Sequence, residues 1–298
     1  MKLLWTSAIA STVFFAGTMS GNAIVFTLYN ANGTNLPHTQ GILKPSAIEI
    51  TGAPTSSDET VVAGGVRLNT TSNAAEYSGY SNYNPVSSTY FSPATFQSTT
   101  LDQTTGYSIN FTVSLDPLTV VDKSMLGNPR AAFSIIATSY DSTATKLGIE
   151  IGFRPSSIFA QSSSFGTANS LETAAFDTSA TTTYTLTVFN NTYSLASGGT
   201  PIIGGALKNY TFLPASSTPP LTFNPYAIDS FLFLGDDTGK ASGTFILGTV
   251  TLDTTPVPFE FSPTYGLLAI STGMAINSWR KKISSSKKSW KSDTFGLI

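Results

Sequence analysis

Along residues 107–115, YSINFTVSL, apolar and polar positions alternate without a break. Tyr107, Ile109, Phe111, Val113 and Leu115 share one face, and Ser108, Asn110, Thr112 and Ser114 share the other. TTTYTLTVF (181–189) repeats the pattern with Tyr184, Leu186 and Val188 inward. A period of two with β-branched residues outside predicts half-buried strands of antiparallel sheets. AAFSIIAT (131–138), FLFLGDD (231–237) and TFILGTVTL (244–252) predict strands more deeply covered. Gly, Pro, Asn and Asp punctuate 32–37, 52–58, 126–130, 196–205 and 214–225, where turns and loops are expected. The pattern yields about a dozen strands, with no amphipathic helix ahead of the C-terminal segment. No repeat of 20–50 residues is visible, which disfavours propellers and solenoids. The expected fold is all-β, a jelly-roll sandwich of two antiparallel sheets in one domain.

The two ends depart from this pattern. Lys2 precedes an apolar run from Leu3 to Ala16, and small residues follow to Gly21-Asn22-Ala23. That order predicts a cleaved signal peptide over 1–23, the run being short of the roughly 20 residues a spanning helix needs. At the other end, Phe261 to Trp279 carries no charge, and Arg280, Lys281 and Lys282 open a basic tail. Residues 24–255 hold eight bases against fifteen acids, whereas 280–298 hold six bases against one acid. Bases are retained on the cytoplasmic side, so the body is expected outside and the tail inside. The expected organisation is an ectodomain over 24–255, a linker over 256–263, a membrane-spanning helix over 264–279 and a cytoplasmic tail over 280–298.

PVPFEFSPTYGLL, an apolar segment and a basic tail together resemble the bacterial PEP-CTERM sorting signal, and more closely its PFE-type relative, found mostly in cyanobacteria. Pro258, Phe259 and Glu260 stand where that family has Pro-Glu-Pro. The resemblance implies an exosortase-type processing partner and delivery to the cell surface or extracellular matrix. A second resemblance covers about 101–250. RAAFSIIA, LGIEIGF, TYTLTVFNNTYSL and FLFLGDDTGKASG look like a group of exported bacterial lectin-like domains with a concanavalin A-like sandwich. It implies a fold and no agreed activity.

Composition fits export. Cysteine is absent, which excludes disulfides, thiolate catalysis and thiol-based metal sites. Charged residues are 11 % of the chain and the formal net charge is −2, which argues against nucleic acid as partner.

Strand KLGIEIGFR (146–154) carries the most informative chemistry. Its polar face presents Lys146, Gly148, Glu150, Gly152 and Arg154. Glycines on both sides of Glu150 leave room for a flat ligand at a carboxylate, so a sugar ring is expected there, with Arg154, Gln161 and Arg130 nearby. The alternative is a solvated strand face whose glycines relieve crowding. As a ligand-facing group, Glu150 is expected to matter for binding and not for stability. Retaining glycosidases need a second carboxylate close by, and Gly152 and Arg154 occupy i+2 and i+4, so catalysis is not expected. Glu172 and Asp177 are the remaining candidates for a partner in space. His38, the one histidine, is expected in a solvated loop. Asp236 and Asp237 are candidate calcium ligands or turn formers. Tyr77, Tyr80 and Tyr83 in EYSGYSNYNP are candidates to stack on sugar, or to anchor a loop. The sequence thus predicts an exported glycan- or polysaccharide-binding domain, with a structural matrix or adhesion protein as the alternative and a glycoside hydrolase third.

Overall fold

The structure is a computed structural model that describes residues 24–256, apart from 42–43, 46–58, 72–77, 123–129, 142–145, 166–171 and 215–222. Residues 1–23, expected as a signal peptide, the Pro258-Phe259-Glu260 motif, the apolar stretch, Arg280, Lys281, Lys282 and Tyr77 therefore lie outside the described residues.

Seventeen strands run in chain order. The first seven are β1 (Val25–Tyr29), β2 (Lys44–Pro45), β3 (Glu59–Val62), β4 (Gly65–Asn69), β5 (Ser78–Ser81), β6 (Tyr83–Asn84) and β7 (Thr89–Tyr90). The next five are β8 (Tyr107–Asp122), β9 (Phe133–Ser139), β10 (Leu147–Arg154), β11 (Ser157–Ala160) and β12 (Thr173–Ala175). The last five are β13 (Thr182–Phe189), β14 (Thr192–Ser197), β15 (Thr200–Ala206), β16 (Leu232–Asp236) and β17 (Ala241–Asp253). An eight-stranded sheet has the order β15-β14-β13-β8-β17-β4-β3, with β1 also on β17. A seven-stranded sheet has the order β12-β11-β10-β9-β16-β5-β2. Both are antiparallel throughout, and the all-β architecture is consistent with a jelly roll. No α-helix is present, and no helix long and apolar enough to cross a membrane, among the described residues.

The alternating positions read from the sequence are the ones that hold the sheets together. Ile109, Phe111 and Val113 from β8 and Tyr184, Leu186 and Val188 from β13 are fully buried. They meet Phe133, Ile135, Ile149, Ile151 and Phe153 of the opposite sheet in one core. Phe111 stacks on Tyr184 of the same sheet at 5.5 Å, and both meet Phe153 of the opposite sheet edge-on, at 5.8 and 5.1 Å, so aromatic pairs bridge the layers. Each such ring removes roughly 150–250 Å² from water, which makes this cluster the main source of sandwich stability.

The stretch 196–205, expected as a loop, is instead a hairpin. Gly198 and Gly199 both have left-handed φ (55° and 79°), and Ser197 pairs with Thr200 across them. Two left-handed residues form the tight turn whose twist suits a two-residue hairpin, so the glycines start strand β15 where they suggested irregular chain.

The seven-stranded sheet is covered on its outer face as well. Ile136 and Phe233 project there and pack with Tyr210, Tyr226 and Phe231 from the segment leading from β15 to β16. Lys208 anchors that segment by exchanging backbone hydrogen bonds with Gly148 of β10 (2.8 and 2.9 Å). This second layer determines the surroundings of Glu150.

Candidate functional site

Pleating sends Ile149, Ile151 and Phe153 inward and Glu150 outward, where Glu150 sits opposite Ile136 of β9. It is only 4 % exposed, because the aromatic layer lies over it. The Tyr226 hydroxyl donates to Glu150 Oε2. Tyr210 stacks on Tyr226 at 4.5 Å, accepts a hydrogen bond from the Glu150 backbone N–H (2.9 Å) and donates to the Gln161 carbonyl (3.2 Å). Phe165, at a left-handed φ of 56°, lies against Tyr210, Tyr226 and Phe212 and under the Arg130 guanidinium, 5.7 Å from the ring centre.

Asp237 completes the group. It follows β16, accepts from the Ser134 hydroxyl at 3.0 Å and forms a carboxyl–carboxyl hydrogen bond with Glu150. Burial holds the Glu150 carboxyl well above its ordinary range, and the charge of Asp237 adds to the effect, while Arg130 and Tyr226 oppose it. Burial raises Asp237 too, against the pull of Arg130. In their contact Glu150 keeps the proton and donates it to Asp237. Two donors beside the pair have no acceptor among the described residues: Arg130 Nη1 and Nε2 of Gln161, whose side chain is nearly fully buried.

The chain matches no known protein-family profile and no curated protein. Solved structures similar to it include a Trypanosoma rangeli sialidase in complex with sialic acid (13% identity, TM-score 0.37, 67% of this chain and 27% of that chain). A structure described as a native glycosidic hydrolase is similar over 79% of this chain and 97% of its own, at 12% identity and a TM-score of 0.39. Sheep galectin-11 in complex with glycerol is similar over 50% of this chain and 92% of its own, at 12% identity and a TM-score of 0.27. The chain thus spans 27% of the length of the sialidase.

The expectation that the protein carries no catalysis does not stand. It rested on the lack of a second carboxylate beside Glu150, and Asp237, which follows β16, supplies one. The glycines flanking Glu150 have a different use from the one expected. A Cβ on Gly152 would stand 2.5 Å from the Phe159 ring, and one on Gly148 would stand 2.9 Å from the Ala137 carbonyl oxygen. The protein's own neighbours occupy the space.

The other candidates distribute as follows. Gln161 and Arg130 join Glu150, while the Arg154 guanidinium lies over Phe159 at 5.3 Å and its Nε donates to the Arg130 carbonyl. Glu172 pairs with Lys208, and Asp177 accepts from Ser179, so neither meets Glu150. Asp236 and Asp237 part because successive residues face opposite ways. Asp236 is fully buried and accepts from the Thr70 hydroxyl (2.7 Å) and the Thr238 N–H (3.1 Å). No group of three or more His, Asp or Glu suited to a metal ion occurs among the described residues. Tyr80 is buried between the sheets with its hydroxyl on Glu59, so it presents no stacking face; Tyr83 is half-buried and packs edge-on against Tyr90 and Phe231, anchoring its loop. His38 is partly exposed with Nδ1 3.4 Å from the buried Glu59 carboxylate, and so is less solvated than expected. Tyr210, Tyr226 and Phe165 escaped the sequence reading because loops carry no periodicity, and Asn224-Pro225 signals only a turn.

Proposed function

We propose that the outer face of the seven-stranded sheet around Glu150 and Asp237 is a carbohydrate site of a lectin-like, concanavalin A-like sandwich. One observation carries this reading: two buried donors without acceptors, Arg130 Nη1 and Gln161 Nε2, flank a pair of carboxyl groups that share a proton. An unpartnered buried donor costs roughly 1–3 kcal/mol, and a polyhydroxylated ligand relieves that cost. Its oxygens accept from Arg130 and Gln161, its hydroxyls donate to Asp237, and the Phe165 and Tyr226 rings suit its C–H faces.

The proton-sharing pair favours a second reading, glycoside cleavage. A carboxyl whose proton burial holds above the ordinary carboxylate range is what a general acid needs, and a neighbouring carboxylate is what a nucleophile or base needs. Retaining cleavage requires about 5–5.5 Å between the groups, so a glycoside entering there parts the pair.

The test is a glycan array with the purified full-length chain, read beside release of reducing sugar from the glycans that bind. Gln161→Leu and Arg130→Met are expected to abolish binding while retaining the β-rich circular dichroism spectrum. An array with no hits, or hits indifferent to both variants, overturns the assignment.

Export and surface display remain part of the proposal, on the strength of residues 1–23 and of the Pro258-Phe259-Glu260 and basic-tail pattern. Mass spectrometry of the surface form separates two fates. A C-terminus near Glu260 means processing by an exosortase-type enzyme, and an intact Ile298 means a retained membrane anchor.

A further inference from the structure

A cleft of about 320 Å³ opens away from the Glu150 face, between the 92–105 segment, β1 and the end of β17. Its lining includes Phe26, Thr95, Gln97, Thr100, Asp102 and Thr254. Among the described residues no Lys, Arg or His lines it, and Asp102 is the one carboxylate. We propose that this cleft binds a single neutral sugar ring, at a site separate from the Glu150 pair.

The wall is preorganised. Phe96 and Leu101 plug the 92–105 segment into the core with no exposure. The Leu101 N–H donates to the Ser230 hydroxyl, which donates in turn to the Ser98 carbonyl (both 2.9 Å). The Tyr140 N–H donates to the Leu101 carbonyl at 2.8 Å. The Gln97 N–H donates to Thr100 Oγ1 at 2.8 Å, which holds the rim. The Thr104 N–H donates to Asp102 Oδ1 at 2.7 Å, and Oδ2 has no partner among the described residues. A carboxylate oxygen held in place by its own turn is already oriented for a ligand, so binding loses little ordering entropy.

The chemistry of the lining selects the ligand. Threonine hydroxyls both donate and accept, as sugar hydroxyls do. Asp102 accepts from two neighbouring hydroxyls, the strong charge-assisted kind of bond. Phe26 supplies the apolar surface that the C–H face of a pyranose needs. With one fixed anion and no cation among the described lining residues, phosphates and sugar acids meet repulsion. The volume lies at the small end of ligand pockets, roughly 300–1,000 Å³, which fits one ring in place of a chain.

Saturation-transfer NMR tests this on the full-length chain with glucose, galactose, mannose and N-acetylglucosamine, and with glucuronate as the charged control. Transfer to at least one neutral sugar is expected, and none to glucuronate. Asp102→Asn keeps the Oδ1 acceptor and removes the charge, so binding is expected to weaken roughly tenfold, the loss of one charge-assisted hydrogen bond. Gln97→Ala, at an exposed position, is expected to weaken binding with the fold intact. In the Gln161→Leu background, which removes binding at the Glu150 face, transfer from the neutral sugar is expected to persist and to keep its dependence on Asp102, which separates this cleft from that face. Absence of transfer from every neutral sugar overturns the proposal. So does equal binding of glucuronate, or binding that Asp102→Asn leaves unchanged.

Discussion

Replacing Glu150 by alanine tests whether this carboxyl is a built-in part of the fold. The side chain is 4 % exposed, accepts from Tyr226 and donates to Asp237. Alanine leaves both partners without their side-chain bond under the aromatic layer. Each stranded group costs about 1–3 kcal/mol, or roughly 2–6 kcal/mol together. A domain of this size loses about 2–4 °C of Tm per kcal/mol, so Tm falls by at least about 4 °C and near mid-range by about 12 °C. Glu150→Gln behaves differently, because its amide donates to Asp237 and its carbonyl accepts from Tyr226. It mimics the protonated acid and is expected to unfold within about 3 °C of the parent at pH 5, a change of under 1 kcal/mol. The pH dependence sharpens the contrast. Native Glu150 holds its proton to higher pH than the unfolded chain does, so the native state binds more protons across that window. Parent stability therefore declines as pH rises from the ordinary carboxylate range toward the raised native value. Glu150→Gln lacks this titration, and its Tm should fall less between pH 5 and 8. Differential scanning calorimetry of the three chains across that range is the assay. An alanine variant with unchanged Tm, or a glutamine variant as unstable as alanine, refutes the buried-network argument.

Two further outcomes follow from contacts beside the site and across the sandwich. Gly152→Ala places a methyl 2.5 Å from the Phe159 ring; chemical denaturation should show a loss of about 1–3 kcal/mol, and adding Phe159→Leu should recover part of it. Tyr80→Phe leaves Glu59 without the Tyr80 hydroxyl between the sheets; a loss of about 1–3 kcal/mol is expected in the same assay, and an unchanged midpoint assigns Glu59 to His38 alone.

Periodicity made the sandwich legible and left the outer layer hidden. Tyr107 to Leu115 alternate because one face of β8 meets a core and the other meets polar chain, so the period reports burial directly. Glu150 alternates on the same rule, and its outward direction was readable from the sequence. What lies above it was not, because Tyr210 and Tyr226 arrive from a long connection with neither a period of two nor one of 3.6. The same reason concealed Asp237. A search for a second carboxylate along one strand sees i+2 and i+4, whereas the sheet order β10-β9-β16 brings residues distant in sequence onto one face, here Glu150 and Asp237, the residue that follows β16. Glycine was ambiguous in the same manner. Gly152 signals close approach in any reading, and only the structure identifies Phe159 as the group that approaches. At Gly198-Gly199 the residue type was read correctly as a turn and its extent incorrectly, since two left-handed glycines permit a hairpin as tight as two residues.

The cost of the carboxyl pair bears on why it is there. Ile136 and Phe233 flank the pair on the same face, and the layer above them is aromatic. An apolar side chain at 150 would pack among them without desolvating an acid, and buried ionisable groups are often replaced by hydrophobic ones with neutral or stabilising effect. Glu150 and Asp237 instead impose a shared proton, a neighbouring guanidinium and two donors without acceptors. The two donors without acceptors lower stability in the free protein, and the hydroxyl-rich ligand proposed above would satisfy them. The aromatic layer raises the cost of the acids and strengthens every polar contact made beneath it, because both follow from the exclusion of water. Stability given up at one buried position, against an otherwise apolar surround, is what marks this face out from the well-satisfied Asp236 one residue away.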